Sequence, residues 1–452
     1  MNDNTKQILF GTDGIRACAN DPILNEKNMF KLGQILAYLS KDQKKQILVA
    51  TDTRESADRI SRSISLGINS LDVATTMLGI IPTPTLAFLT KKLSASFGVM
   101  VSASHNPSSD NGVKIFFSNG YKIDNDMQNN IENLFYNKSF NFDTINKNCK
   151  KNKILVEHYI DHIKNNFSFT NKSLKIVLDC ANGAAYKIAL SIFDKLGFNS
   201  VITINDKPNG ININENCGSE NTASLQQEVL KNNADIGIAF DGDADRAVFI
   251  DENGKKIDGE AIISLFAIEI NKSNKLNKNT ISTTIMSSSS LEKALNPYKI
   301  AIKKTDVGDK NVAYLMQNEG LSFGAENSGH FIISNLSTTG DGIISALYLI
   351  SIMDKYNKKI SEICSFFIPS EQVLFNISVT KKIPLSDLPN TQLLIKNAEN
   401  SLSLKHGRIL FRYSGTEMKA RLLIESENKK ECEKLAEEII KEFNKEYQLA
   451  LT

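Results

Sequence analysis

The sequence predicts a multidomain α/β protein, with three doubly wound α/β domains followed by a smaller α+β domain. Three observations carry that prediction. The chain has 452 residues, whereas single cores stop growing at about 250–300 residues and domains usually hold about 100–150. Apolar runs of four or five residues recur, each closed by a turn signal and followed by a helical pattern, which is the signature of buried parallel strands in βα units. From about Val373 the pattern changes to alternating strand-like pieces that end in a charged amphipathic helix, Lys429 to Tyr447.

The elements follow in order. Ile47-Leu48-Val49-Ala50 precedes a Ser/Asp-rich helix start. Phe97-Gly98-Val99-Met100-Val101 runs into a polar turn. Lys175-Ile176-Val177-Leu178-Asp179 leads through Ala181-Asn182-Gly183-Ala184 to a helical stretch, and Ile236-Gly237-Ile238-Ala239-Phe240 ends at an acidic loop. Ile343 to Met353 is greasy but contains serines and is too short to span a bilayer, so it reads as a buried helix. Polar, basic residues 146–153 mark a first linker, a strand ends at a turn near Glu252–Lys255, and the pattern shifts again around Pro369–Gln372. The expected domains are 1–152, 153–253, 254–370 and 371–452. The first three could be copies of one fold, although no repeat is visible in the residues.

Composition narrows the function classes. Hydrophobic residues make up 41% and charged residues 23%, as in globular proteins, and the net charge is +2. No basic surface suited to nucleic acid or membrane is implied, and runs such as Lys147 to Lys153 read as solvated linker. The first residues lack the apolar region of a signal peptide, and the six cysteines are scattered with no CxxC pair. A cytoplasmic chain with free thiols is expected.

Three segments carry chemistry. Ser102-Ala103-Ser104-His105-Asn106-Pro107 follows an apolar strand directly, and functional groups of α/β sheets gather at the carboxyl ends of strands. Read alone, it is an ordinary Ser/Asn/Pro turn. It lacks the flanking glycines of a hydrolase elbow. Neighbouring side chains in extended chain point apart, so Ser104 and His105 are not expected to pair.

In Asp241-Gly242-Asp243-Ala244-Asp245-Arg246, three carboxylates alternate with the smallest residues and would repel strongly unless a cation sat among them. Hard oxygen ligands suit Mg²⁺, which keeps positions open for a phosphate. A Ca²⁺ loop of the EF-hand type is excluded because its sixth position requires glycine and here holds Arg246, and because Ala247 to Ile250 reads as a strand. Arg412-Tyr413-Ser414-Gly415-Thr416-Glu417, with Arg421 beyond it, supplies two guanidiniums, two hydroxyls and a glycine backbone, a possible phosphate cradle. A nucleophilic hydroxyl, a Mg²⁺ site and a phosphate clamp together describe phosphoryl transfer.

In this combination and order the motifs resemble the α-D-phosphohexomutase family over essentially the whole chain. Phe10-Gly11-Thr12-Asp13-Gly14-Ile15-Arg16 resembles the family's N-terminal signature. Ser102 to Pro107, continued by Asp110 to Lys114, resembles its active-serine loop. Asp241 to Arg246 resembles its metal loop, Gly324 to His330 its sugar-binding loop, and Arg412 to Arg421 its phosphate loop. Pro208 to Asn214 with Cys217-Gly218-Ser219, and Thr338-Thr339-Gly340-Asp341-Gly342, favour the branch that acts on glucosamine phosphate. Three positions depart from the family pattern: Met418 replaces a proline, Ser56-Ala57 stands for Ser-Gly, and Lys310 for arginine.

The resemblance implies four domains around a central cleft and an isomerase that interconverts glucosamine 6-phosphate and glucosamine 1-phosphate, supplying amino-sugar nucleotide synthesis. Ser104 would carry the phosphoryl group. One Mg²⁺ would bind Asp241, Asp243, Asp245 and a phosphoryl oxygen on Ser104. A hexosamine or glucose 1,6-bisphosphate would act as activator. Glu326, Asn327 and Ser328 would hold the sugar, and Arg412, Ser414, Gly415, Thr416 and Arg421 the distal phosphate. Arg16, Lys114 and His330 are the groups that it places near Ser104 for charge stabilisation or proton transfer, with Arg16 better suited to the former because it stays protonated. A homodimer is left open. Two alternatives stay open: a phosphoglucomutase or phosphomannomutase, and a non-catalytic sugar-phosphate-binding homologue.

Overall fold

The computed structural model describes residues 9–11, 13–40, 45–138, 150–152, 154–403, 407–414, 418–426 and 428–451. The chain forms two compact units, one built from residues 1–286 and 299–365, the other from 287–298 and 366–452.

The first unit holds three mixed sheets. The first contains β1 (Ile15–Cys18), β2 (Ile47–Thr51), β3 (Thr75–Ile80), β4 (Phe97–Val101), β5 (Asp110–Phe117) and β6 (Lys150–Lys151), in the order β1-β5-β4-β2-β3-β6. The second contains β7 (Lys175–Asp179), β8 (Ser200–Ile204), β9 (Ile236–Phe240) and β10 (Ala247–Ile250), in the order β10-β9-β7-β8. The third contains β11 (Thr280–Thr284), β12 (Ala301–Thr305), β13 (Phe323–Glu326) and β14 (His330–Ile333), in the order β12-β11-β13-β14.

These sheets share one plan. In each, one strand (β2, β7 or β11) lies parallel between two others, and the chain later turns back antiparallel along one of those: β4 into β5, β9 into β10, β13 into β14. The strands β2, β4 and β9 are buried along their whole length, as continuous apolar runs covered on both faces must be. The edge strand β12 is largely exposed. Ile64 on the helix Ser56–Asn69 is fully buried in the core between its helix and the first sheet, and shortening such a residue to alanine costs about 2–5 kcal/mol.

One local expectation needs correcting. Part of the linker expected at 146–153 is strand, because Lys150 and Lys151 pair in parallel with Thr76 and Met77 on the edge of the first sheet. Strand pairing satisfies main-chain groups and does not require an apolar side-chain pattern. Residues 146–149 and 153 lie outside the described residues. Ile343 to Met353 does form a buried helix, Gly342–Tyr356. Among the described residues no helix is long and apolar enough to cross a membrane, and the described cysteines are free thiols.

The second unit carries a three-stranded antiparallel sheet of β15 (Glu371–Ser378), β16 (Arg408–Tyr413) and β17 (Lys419–Ser426), in the order β15-β17-β16. Helices Pro389–Ser403 and Lys429–Leu451 supply the rest of its core, with Leu402, Leu422, Ile424, Ala436 and Ile439 packed together.

Candidate active site

Each of the three turn-backs in the first unit carries one expected functional segment. At the end of β4 the chain leaves the sheet at Ser102, whose Oγ accepts from the Ser104 amide at 2.9 Å. Ser104 is in the left-handed region, with φ of +54°. A side chain there costs on the order of 1–3 kcal/mol, and the conformation persists only where its surroundings enforce it. Gly242 presses against the outer side of this loop: a Cβ on it would stand 2.5 Å from the Ser104 carbonyl oxygen. Ser104 itself is 1% exposed, and its hydroxyl donates to Asp241 Oδ2 at 2.6 Å.

This conformation corrects the expectation for His105. The argument that neighbouring side chains diverge assumed extended backbone. The left-handed turn at Ser104 instead brings His105 Nδ1 to 3.4 Å from Ser104 Oγ. Burial, with Arg246 and Arg16 nearby, pushes His105 down to about 4. The hydroxyl's one proton goes to Asp241 over the much shorter contact, so His105 is at most a weak partner.

The turn between β9 and β10 curls through Ala244, at φ +56°, and gathers Asp241, Asp243 and Asp245. One oxygen from each lies within 4.8 Å of the others, and the three residues are at most 3% exposed. Lys114 Nζ reaches Asp243 Oδ2 at 2.8 Å and Asp245 Oδ2 at 2.9 Å, while Thr83 Oγ1 donates to Asp243 Oδ2 at 2.5 Å. Asp243 Oδ1 and Asp245 Oδ1 are buried with no hydrogen-bond donor among the described residues. Burial, then Asp245 and Asp243, hold the Asp241 carboxyl well above the usual range. For Asp245, burial pushes upward but Lys114 and His330 outweigh it and hold the carboxyl low. Lys114 bonds two of the three carboxylates and Arg246 Nε stands 4.0 Å from Asp245 Oδ1, yet the net push on Asp241 is still upward, so the trio favours a proton on Asp241 or a further cation. These hard oxygens, two of them without a hydrogen bond among the described residues, fit a small divalent ion, and Ser104 Oγ lies at the edge of the same cluster.

Cationic groups surround the trio. Arg16 donates to Asp13 Oδ2 at 2.6 Å and reaches Asn106 Oδ1 at 3.5 Å. Asp13 also takes Lys122 and lies 3.4 Å from Lys114. Lys122 continues to Asp309 Oδ2 at 2.5 Å. Burial alone would lower the Lys114 pKa, but Asp13, Asp243 and Asp245 raise it well above the ordinary lysine value, so in this arrangement Lys114 is a fixed charge. Arg16 is likewise raised, by Asp13 and the two nearer aspartates against its burial.

His330 opens β14. Its Nδ1 faces Asp245 Oδ1 at 3.7 Å, and its Nε2 lies 3.3 Å from Asp309 Oδ2. The Gly340 amide also donates to Nε2 at 3.0 Å, which calls for a lone pair there, whereas Asp309 favours a proton. Burial lowers the ring's pKa, but the two carboxylates outweigh it and the net direction is upward.

The third turn, 327–329, is stitched to the aspartate loop. Ala247 N donates to Gly329 O at 2.9 Å, and Gly342 N to Ala244 O at 3.0 Å. Glu326 is half-buried, accepts from the Gly308 amide at 3.0 Å, and is raised by burial; Asn327 and Ser328 are exposed.

In the C-terminal unit, Arg412 on β16 stands directly opposite Arg421 on β17. Like charges in that position disfavour one another. Burial and Arg421 lower the Arg412 pKa. Ser414 closes β16, where its carbonyl accepts from Lys382 Nζ at 2.6 Å. Gly415 and Thr416, together with Thr12 of the N-terminal signature, lie outside the described residues.

The structure thus brings Ser104, the three aspartates, Arg16, Lys114 and His330 into one connected cluster, and the third turn is bonded to its backbone. Thr83, Lys122 and Asp309 join it without having been singled out for a role. Asp13 lay inside the N-terminal signature and Asp309 directly before Lys310, whereas Lys122 and Thr83 carry no local signal and arrive only through the fold.

Comparison with known proteins bears on the family. Residues 7–142, 157–254 and 258–369 match the α/β/α domains I, II and III of phosphoglucomutase/phosphomannomutase, and 374–442 match its C-terminal domain. A phosphoglucosamine mutase of Campylobacter curvus is 40% identical over 447 residues, covering 97% of this chain and 99% of that protein. A phosphoglucomutase/phosphomannomutase family protein of Burkholderia thailandensis superposes with a TM-score of 0.83 at 20% identity, covering 97% of each chain. N-acetylphosphoglucosamine mutase of Aspergillus fumigatus, solved in complex with GlcNAc-6P and magnesium, gives 0.68 at 16% identity, covering 99% of this chain and 97% of that one. Full-length matching to all four domains and to close relatives establishes that the chain belongs to the phosphoglucomutase/phosphomannomutase family.

Proposed function

We propose that the protein interconverts glucosamine 6-phosphate and glucosamine 1-phosphate, with Ser104 carrying the phosphoryl group between the two positions. One observation supports this above the rest: a buried serine hydroxyl, in an enforced left-handed turn, donates at 2.6 Å to a buried trio of carboxylates. The choice of sugar rests on relatives such as the Campylobacter curvus protein, which is named phosphoglucosamine mutase.

Asp241, Asp243, Asp245 and a phosphoryl oxygen on Ser104 would hold one Mg²⁺. When bound, the ion neutralises charge on the moving phosphoryl group and makes serine a better leaving group. The bond between phosphorus and Ser104 Oγ breaks as a new one forms to a free hydroxyl of the sugar phosphate. That hydroxyl's proton passes to a nearby base, and the product is the 1,6-bisphosphate. The bisphosphate turns, its other phosphoryl group returns to Ser104 Oγ, and the proton goes back to the oxygen released. A hexose 1,6-bisphosphate primes the serine.

Among the three expected groups, Arg16 and Lys114 have their protons held by carboxylates and serve to balance charge. His330, the most readily titrated of them, is assigned the proton transfer. Glu326, Asn327 and Ser328 are assigned the sugar hydroxyls. Arg412, Ser414, Gly415, Thr416 and Arg421 are assigned the distal phosphate, and the cytoplasm is the expected site of action.

The test is a coupled assay with Mg²⁺ and a trace of glucose 1,6-bisphosphate, comparing kcat/KM for glucosamine, glucose and mannose 6-phosphates. A clear preference for glucosamine 6-phosphate supports the reading, and equal or better use of the others overturns the substrate. Ser104→Ala is expected to take no label from bisphosphate, and a label on another residue would refute the nucleophile.

A further inference from the structure

Arg54 has no assigned role, yet it is the most completely engaged cation near the site. It follows the end of β2, and its side chain and that of Asp52 are both at 0% exposure. A guanidinium has five N–H groups in a rigid fork. Here Nε donates to Asp52 Oδ2 at 2.9 Å. One terminal nitrogen donates to the carbonyls of Pro107 and, at 2.9 Å, Asp110. The other donates to the carbonyls of Ser104 at 3.0 Å and Asn106 at 2.7 Å. Four of the five bonds therefore end on main-chain oxygens of residues 104–110, the turn that carries Ser104 and the first residue of β5.

A second residue grips the same turn from the connection that follows β8. Asn214 Nδ2 donates to the carbonyls of Ser104 at 2.9 Å and Asn106 at 3.0 Å. Two independent donors thus converge on the peptide unit that must be rotated for Ser104 to adopt its left-handed φ. An unassisted serine would relax toward extended backbone and swing Oγ away from Asp241.

We infer that Arg54, seated on Asp52 and seconded by Asn214, is the positioning residue that locks the Ser104 turn in its phosphoryl-accepting geometry. The inference rests on the reading of Ser104 as nucleophile. Arg54 has no hydrogen on any donor left for a substrate, so its contribution falls on kcat rather than on KM. Lysine would keep the charge but, with three donors at the tip of a straight stem, cannot serve five acceptors spread over that turn.

Three measurements on full-length protein test this: kcat and KM, the rate of labelling at Ser104 by radiolabelled glucose 1,6-bisphosphate, and amide hydrogen exchange across residues 102–112. Arg54→Lys is expected to lower kcat and the labelling rate by about 10–100-fold while KM stays within about twofold, since misplacing a reacting group by about 1 Å costs about 10²-fold. Exchange should rise in 102–112 selectively. Asn214→Gly, which removes the amide at a position already left-handed (φ +59°), introduces no uncompensated buried charge and should show the same pattern more weakly. A fall in melting temperature with unchanged kcat, a rise in KM alone, or wild-type exchange at 102–112 in both variants would overturn the inference. Absence of label on Ser104 in the wild-type protein would instead overturn the nucleophile reading, and the exchange data would still report whether the clasp exists.

Discussion

The aspartate loop of the first unit and the arginine pair of the C-terminal unit both concentrate charge of one sign, but in different surroundings. Asp241, Asp243 and Asp245 are packed out of solvent, with one lysine bonded among them and two carboxylate oxygens that accept no hydrogen bond among the described residues. Arg412 and Arg421 face each other across two strands at half-buried positions. Water moderates repulsion in the second case and not in the first. The difference teaches that a cation at the aspartates should act on the stability of the fold as well as on catalysis. An anion at the arginines should act chiefly on affinity.

The largest effect expected from that contrast lies at the aspartates. Asp243→Asn should lower kcat by about 10²–10³-fold, a typical cost of losing one preorganised charge at a phosphoryl-transfer centre. It should also weaken the rise in melting temperature that Mg²⁺ gives the wild-type protein, a stabilisation of about 3 kcal/mol at 100 times the dissociation constant. Full activity, or an unchanged Mg²⁺ shift in thermal melts, would refute the metal assignment.

A buried carboxylate outside the trio sharpens the comparison. Asp341 caps the helix Gly342–Tyr356 by accepting from the Ile344 amide at 2.9 Å, and it takes the Tyr159 hydroxyl at 2.7 Å. Burial nonetheless pushes it up to about 6. A folded-state value above the unfolded one means that the protonated form is favoured by folding. The stability it contributes is full below about pH 4 and is lost as the pH rises through about 6. Asp341→Asn keeps an equally good cap. Its stability relative to wild type should therefore climb between pH 4 and 8, by about 1–3 kcal/mol. A difference that stays flat with pH in thermal melts would show that Asp341 does not titrate there.

The smallest effect belongs to the arginines. Arg421→Gln should raise KM for the sugar phosphate about tenfold, as loss of one charge-assisted contact does. It should leave the Mg²⁺ shift intact and move stability by no more than about 0.5 kcal/mol, because it relieves a like-charge pair near water. A lost Mg²⁺ shift in this variant would erase the contrast between the two regions.

Much of this was legible in the residues. β4, β7, β9 and β10 stand where their apolar runs place them, and the serine and aspartate segments sit at the strand ends that the runs predict. The shared plan of the three sheets was not legible, because it resides in strand order and main-chain pairing, which many side-chain sets satisfy. Lys122 and Thr83 escaped notice for a related reason. A lysine after β5 and a threonine opening a helix become site residues only when tertiary packing sets them against Asp309 and Asp243. Ser104 and His105 defeated a local rule because four external hydrogen bonds to the carbonyls of Ser104 and Asn106 override the backbone's preference.

The repetition of one strand plan has a consequence for how such a catalyst changes over time. Each copy presents its turn-back at the same topological position, yet each holds a different set of side chains: a serine, three aspartates, or Asn327 and Ser328. A scaffold of this kind behaves like a socket duplicated three times. Rewriting the few residues of one turn leaves the other two, and the sheets beneath them, with unchanged instructions, so a new sugar preference can be explored without first reinventing phosphoryl transfer.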